Sequence, residues 1–168
     1  MSGFVAHFVT FADYNAWANA RLYEAVAELP SEAITANRPA AFFDSILGTL
    51  NHVLVADRIW MDRFEHLPPA GLALNAIVHD KLSELRAARE AEDARIRRFV
   101  GELDSADLER TVAYKNSKGE AFADPLHRLL AHLFNHQTHH RGQAHALIKD
   151  AGIAPPPLDY VYYMREVG

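Results

Sequence analysis

The chain has 168 residues, 49% of them hydrophobic and 23% charged, with a net charge of −5 and no cysteine. That length suits one domain with a continuous core; the acidic balance argues against a nucleic-acid surface, and the lack of cysteine excludes thiol nucleophiles, iron–sulfur clusters, disulfides and thiolate-bound zinc. No run approaches the roughly 18 apolar residues of a membrane span, and Met1 to Asn15 lacks Lys and Arg while carrying His7 and Asp13, so no signal or transit peptide fits and a cytoplasmic location is expected.

Four long helices and a short C-terminal one are predicted, an all-α chain in a single domain spanning residues 1–168. The first runs from about Phe4 to Leu29, with Phe4, Phe8, Phe11, Ala18, Leu22 and Ala25 on its apolar stripe, and stops at Pro30. Asn15 falls on that stripe. The second opens with Asp44 as its N-cap and ends near Leu67, before Pro68 and Pro69, with Leu47, Leu50, Leu54, Met61 and Phe64 facing inward. Asp57 shares that face, while Asn51, Arg58, Asp62 and Glu65 form a polar flank. The third, about Asn75 to Leu103, is apolar at both ends but puts Arg89 and Glu92 in the middle of its pattern, which is therefore either exposed or turned to a polar cavity. Its basic knot, Arg95, Arg97 and Arg98, follows Glu90, Glu92 and Asp93 closely and reads as a solvated face.

Between this helix and the next, Thr111 to Phe122 holds two short runs around Asn116, Ser117, Lys118 and Gly119, a turn cluster that marks a small hairpin or an ordered loop. Asp124 as cap and Pro125 at the first position open the fourth helix, which ends at Gly152. Pro155 to Pro157 then turn the chain into the short amphipathic tail with Tyr160, Tyr162, Tyr163 and Met164.

Histidine is the compositional anomaly: of ten, six lie between His127 and His145. On a helical projection Leu126, Leu129, Leu133, Ala144 and Leu147 cluster within roughly 60° and define the buried face of the fourth helix, with His136 and His140 in or beside that arc. His132 and His139 fall outside it, and His127 and His145 point away from the core. Two imidazoles one turn apart reach a common ion. His52, set among Val55, Ala56 and Ile59 on the second helix, offers a third inward imidazole. On spacing alone these residues fit either a metal site or core histidines bonded to carbonyls. Gln137 after His136 rules out the His-Glu-x-x-His metalloprotease motif, and no Glu-x-x-His appears, which disfavours a di-iron carboxylate bundle.

Three stretches, Tyr14-Asn15-Ala16-Trp17-Ala18-Asn19-Ala20-Arg21-Leu22, His52 through Asp57-Arg58-Ile59-Trp60, and Asn135-His136-Gln137-Thr138-His139-His140-Arg141-Gly142-Gln143, give the chain its resemblance to the DinB/YfiT-like metalloenzyme family. The family takes its name from bacterial proteins induced by DNA damage. The resemblance implies a four-helix bundle of up-down-down-up connectivity, often a homodimer, with a divalent metal held by one histidine of the second helix and two of the fourth. Carried over to this chain, those are His52, His136 and His140; His139 is not expected to bind the ion. Some relatives are transferases or isomerases that use a low-molecular-weight thiol, and many have no known activity.

Three neutral imidazoles leave an ion with open positions for water or substrate, so a hydrolase and a thiol-dependent S-transferase acting on a small molecule both fit, and a non-catalytic metal-binding stress-response protein is the rival. Zinc, nickel and iron all suit such ligands. Asn15 and Asp57 either orient a ligand or bound water or satisfy backbone and Arg groups between helices. Trp17 and Trp60 either wall a pocket or fill core, Arg141 on its polar flank either pairs with an acid or meets an anionic substrate, and Gly142 suggests close helix packing.

Overall fold

A computed structural model describes residues 3–39 and 41–167. Among these, the elements in chain order are α1 (Gly3–Ala27), α2 (Ser31–Thr35), α3 (Ile46–Phe64), α4 (Leu82–Glu102), α5 (Ser105–Glu109), β1 (Thr111–Lys115), β2 (Ala121–Pro125), α6 (Leu126–Asp150) and α7 (Tyr160–Val167). The protein is thus mostly helical with one two-stranded sheet. Among the described residues no helix is long and apolar enough to cross a membrane.

Each long helix packs against two others: α1 against α4 and α6, and α3 against the same two. One apolar cluster joins Phe8 and Ala12 of α1 to Met61 and Phe64 of α3, Ile96 and Val100 of α4, and Leu126 to Phe134 of α6. A second joins Leu22 and Val26 of α1 to Ile46 and Leu50 of α3, Leu85 of α4, and Ala144 and Ile148 of α6. The early half of α1 and α6 therefore meets the late half of α3 and α4, and the reverse holds at the other cluster.

Between the two clusters, in residue position along every long helix, lies a polar layer. Asp57 Oδ2 accepts from Arg89 Nη1 at 2.6 Å and from Gln137 Nε2. Arg89 Nη2 stands 2.9 Å from Asp93 Oδ1, an ion pair without hydrogen-bond alignment. Asp93 in turn accepts from the amides of Asn15 at 3.2 Å and Asn19 at 3.0 Å. Arg141 Nη1 closes the ring by donating to the side-chain oxygens of Asn15, of Asn19 at 3.3 Å and of Gln137 at 3.1 Å. Two acids meet two arginines, so the layer is formally neutral, and every member is buried. The polar middle of the third predicted helix thus faces inward: Arg89 is 2% and Glu92 6% exposed. Burial pushes the Asp57 carboxyl up to about 7, with Arg89 opposing the shift.

Several boundaries differ from the sequence reading, each for a physical reason. Asp44 adopts a left-handed backbone (φ 64°), and Ser45 is the cap of α3, its Oγ accepting from Gly48 N at 2.9 Å. Residues 75–81 stay irregular, because Asn51 binds the backbone of Val78 and His79 and α4 begins only at Leu82. Asp124 and Pro125 belong to β2, where Tyr114 Oη donates to Asp124 Oδ2 at 3.1 Å, so Pro125 precedes α6 with no side-chain cap. The turn cluster is indeed a hairpin, with Thr111 opposite Pro125 and Lys115 opposite Ala121. Gly152 stands beyond the end of α6 with φ 97°. Phe4 is 47% exposed, Val5 and Phe8 having taken the core side of α1. Gly142 is exposed with open space around it, so it mediates no close packing. Arg95 is no free surface charge either, since it pairs with Asp62, Glu65 and Glu92.

Candidate metal centre

Helix α3 brings His52, and α6 brings His136 and His140, to one place between the two helices. His52 Nε2 stands 3.3 Å from His136 Nε2 and 3.2 Å from His140 Nε2. The three ligand atoms all lie within 4.8 Å of one another, and the group could hold a metal ion. Two imidazole nitrogens each about 2.0–2.1 Å from one tetrahedral ion would stand about 3.3 Å apart, so the spacing fits.

The far side of each ring decides what these nitrogens present to one another. His52 Nδ1 lies 2.7 Å from the Leu74 carbonyl oxygen, which only accepts, so Nδ1 carries the proton and Nε2 is bare. His140 Nδ1 lies 2.7 Å from Gln143 Oε1, while Gln143 Nε2 donates to His139 Nε2 at 3.1 Å. His140 Nε2 is therefore bare as well. Two lone pairs facing each other at 3.2 Å form no hydrogen bond; a cation between them removes the repulsion. Burial holds all three imidazoles below their usual range, His136 to about 3 with the neighbouring rings adding to the effect, and His140 to about 4 with the Gln143 bond opposing. They are neutral at pH 7, the form that binds metal.

Phe43 covers His52, its ring stacked at 3.8 Å and 16°. That approach depends on Gly48, where a Cβ would fall 2.0 Å from the Phe43 carbonyl oxygen. The segment before α3 can therefore fold back over the helix only with glycine at that position.

Of the other residues singled out from the sequence, Asn15 and Asp57 lie in the polar ring, and none of their hydrogen bonds reaches His52, His136 or His140. Asp57 accepts from Arg89 and from Gln137, the residue next to His136. The hydrogen bonds on the far side of the imidazoles come from the Leu74 carbonyl, on His52, and from Gln143, on His140. Gln143 was discoverable as the residue one turn after His140, whereas a backbone carbonyl on a distant loop leaves no trace in sequence. His132 packs edge-on against Trp60 at 5.0 Å and beside His136 at 5.8 Å, outside the three-histidine group. His127 and His145 bond to the carbonyls of Leu108 and Pro156. Trp17 packs on Tyr163 of α7, away from the histidines.

The sequence profile of the DinB family matches residues 1–167. The chain is also 30% identical over 156 residues to Protein DinB of Bacillus subtilis (strain 168), an alignment that covers 90% of each protein. A match of that extent, taken with the three-histidine site between α3 and α6, means that the chain belongs to the DinB family.

Proposed function

We propose that the protein is a metal-dependent enzyme acting on a small molecule, with one divalent ion held by His52, His136 and His140 and a low-molecular-weight thiol or water as the attacking group. The observation behind this reading is the set of bare Nε2 atoms of His52 and His140 turned toward each other, with His136 Nε2 beside them. A divalent ion bound there supplies Lewis acidity and favours the deprotonated form of water or of a thiol, a nucleophile this cysteine-free chain lacks. The chain's own part is to hold the three imidazoles neutral, aim them, and cover one side with Phe43. Three protein ligands leave a coordination position open for substrate, as catalytic ions require and structural ones do not.

The scaffold of this site is an up-down-down-up four-helix bundle of α1, α3, α4 and α6, a reading supported by the way the two apolar clusters pair opposite ends of these helices. Val161, Tyr162, Met164 and Val167 of α7 are exposed, an apolar face that favours a homodimer, which light scattering of the purified protein tests.

Metal content of untagged protein, measured by mass spectrometry, tests the site: about one equivalent of zinc, nickel or iron is expected, lost in His52→Ala and in His136→Ala. Thiol consumption with electrophiles, and hydrolysis of esters and amides, then separate catalysis from its rival. Metal bound without any turnover would leave a non-catalytic metal-binding stress-response protein.

A further inference from the structure

The segment between α3 and α4, residues 65–81, has no regular structure. Irregular loops beyond about 12–15 residues are uncommon inside compact domains unless they serve a function. Two adjacent residues of α3 hold this one. Asn51, fully buried, accepts at Oδ1 from the backbone N–H groups of Val78 at 2.9 Å and His79 at 3.0 Å. Its Nδ2 donates to the carbonyls of His79 at 2.9 Å and of Leu47 in its own helix at 3.0 Å. All the hydrogen-bonding capacity of that amide is thus engaged, most of it on the loop. The next residue, His52, meets the same loop through the Leu74 carbonyl at 2.7 Å. Leu74 lies within a turn closed by Ala76 N donating to Ala73 O at 3.0 Å, so few rotations separate the clamp at Val78 from that carbonyl. Leu74 is itself 46% exposed and Ile77 53%, so burial of these side chains does not hold the turn in place.

We propose that Asn51 is a positioning residue of the metal centre: by gripping Val78 and His79 it sets the Leu74 carbonyl on His52 Nδ1 and thereby keeps His52 Nε2 free to bind. The proposal rests on the metal reading for its consequence, but its immediate effect, the tautomer of His52, is present in the metal-free chain. A loop that only tied two helices together would need no defined distance to that imidazole.

The test is nitrogen-edited NMR of the histidine rings in metal-free protein, with His52 assigned from His52→Gln, alongside zinc titration against a chromophoric chelator. In the wild type, His52 is expected in the Nδ1-protonated form. In Asn51→Ala, both tautomers are expected and zinc affinity falls about 10- to 100-fold, the range seen when partners of metal ligands are removed. Asn51→Asp keeps the acceptor for both loop N–H groups and is expected to restore the tautomer. A glycine inserted between Asn75 and Ala76 leaves Asn51 intact but breaks the spacing to Leu74, and serves if Asn51→Ala does not fold; the same loss is expected. An unchanged tautomer and unchanged zinc affinity in these variants, with only a lower melting temperature, would overturn the proposal. If wild-type protein bound no zinc, the metal reading would fail, while the tautomer of His52 would still decide the role of Asn51.

Discussion

Replacing Arg89 by methionine tests the buried polar layer most directly, because the substitution keeps the side chain's bulk and removes only its charge and donors. Arg89 bonds Asp57 at 2.6 Å and pairs with Asp93 at 2.9 Å, at 2% exposure. Breaking a buried pair from one side costs about 3–5 kcal/mol, since the surviving charge stays buried without its counter-charge. Here the survivor has an escape. The Asp57 carboxyl already sits at about 7 against an ordinary 3.8, and Arg89 is what opposes a further rise. A group whose folded value is raised gives stability that is complete below the unfolded value and lost as pH climbs through the folded one. Without Arg89 that loss extends to higher pH. The cost of Arg89→Met should therefore grow between pH 5 and pH 8 by at most about 1.4 kcal/mol, the one pH unit that separates the wild-type value of about 7 from pH 8, however far above it Asp57 rises. Urea unfolding at pH 5 and pH 8 measures this, with Asp57→Asn added to recover part of the loss at pH 8. A cost below about 1 kcal/mol at pH 8, or one that is the same at both pH values, would refute the reasoning.

The depressed imidazoles make the opposite pH signature. His136 and His140, at about 3 and 4 when folded, stabilise the metal-free protein fully above the ordinary 6.5, and that stability drains away as pH falls from there through their folded values. The acid-side fall in the urea midpoint should be shallower in His136→Gln; equal slopes would mean that burial of the ring is not the cause. Phe43→Ala removes the ring stacked on His52 and should weaken zinc binding about 2- to 10-fold, from the ~0.5–1.5 kcal/mol of an aromatic pair, while scarcely changing the far-ultraviolet circular dichroism. Ser45→Ala deletes the cap of α3 and should lower stability by about 1 kcal/mol in chemical denaturation, whereas Asp44→Ala should not cost a cap bond; the reverse order would restore Asp44 as the cap.

The three histidines were legible because periodicity projects residues onto a helix face, and both α3 and α6 are regular through the site. The same projection misplaced Asn51. It lies on the flank shared with Arg58 and Asp62, and that flank is buried at Asn51 only because residues 65–81 fold over it, which a projection of one helix cannot represent. Arg141 was misread for a related reason: an apolar scale marks a buried face by its leucines, but at this level of the molecule the interior is polar, so burial and polarity coincide. Asp57 and Asn15 were recognised as interior residues, yet their partners come from the middle of α4, whose charges look like surface until a matching layer is found opposite. The boundaries that moved, at Ser45, Leu82 and Leu126, are all places where side-chain or loop hydrogen bonds compete with the helix for its first turn.

The polar ring and the metal centre meet on α6, where His136 is followed by Gln137 and His140 by Arg141. Consecutive residues project about 100° apart, so one strip of the helix faces His52 while the next faces the ring. At a side-chain radius of about 5–6 Å, a roll of α6 by about 20° displaces an imidazole nitrogen by about 2 Å, which is a whole metal–nitrogen bond length. Apolar packing resists such a roll only softly, whereas the bonds from Gln137 to Asp57 and from Arg141 to Asn15 are directional and pull toward α3 and α1 respectively. A buried ionic layer is a poor source of stability compared with apolar packing, and it makes physical sense here as a device that sets orientation. Our hypothesis is that the ring aims His136 and His140. Gln137→Leu should then weaken zinc binding by more than Leu130→Ala does, a fully buried core substitution expected to cost about 2–5 kcal/mol without touching the ring. If both variants bind zinc equally well, or if the core variant loses more, the layer contributes only to the fold and the histidines are aimed by their own immediate partners, Leu74 and Gln143.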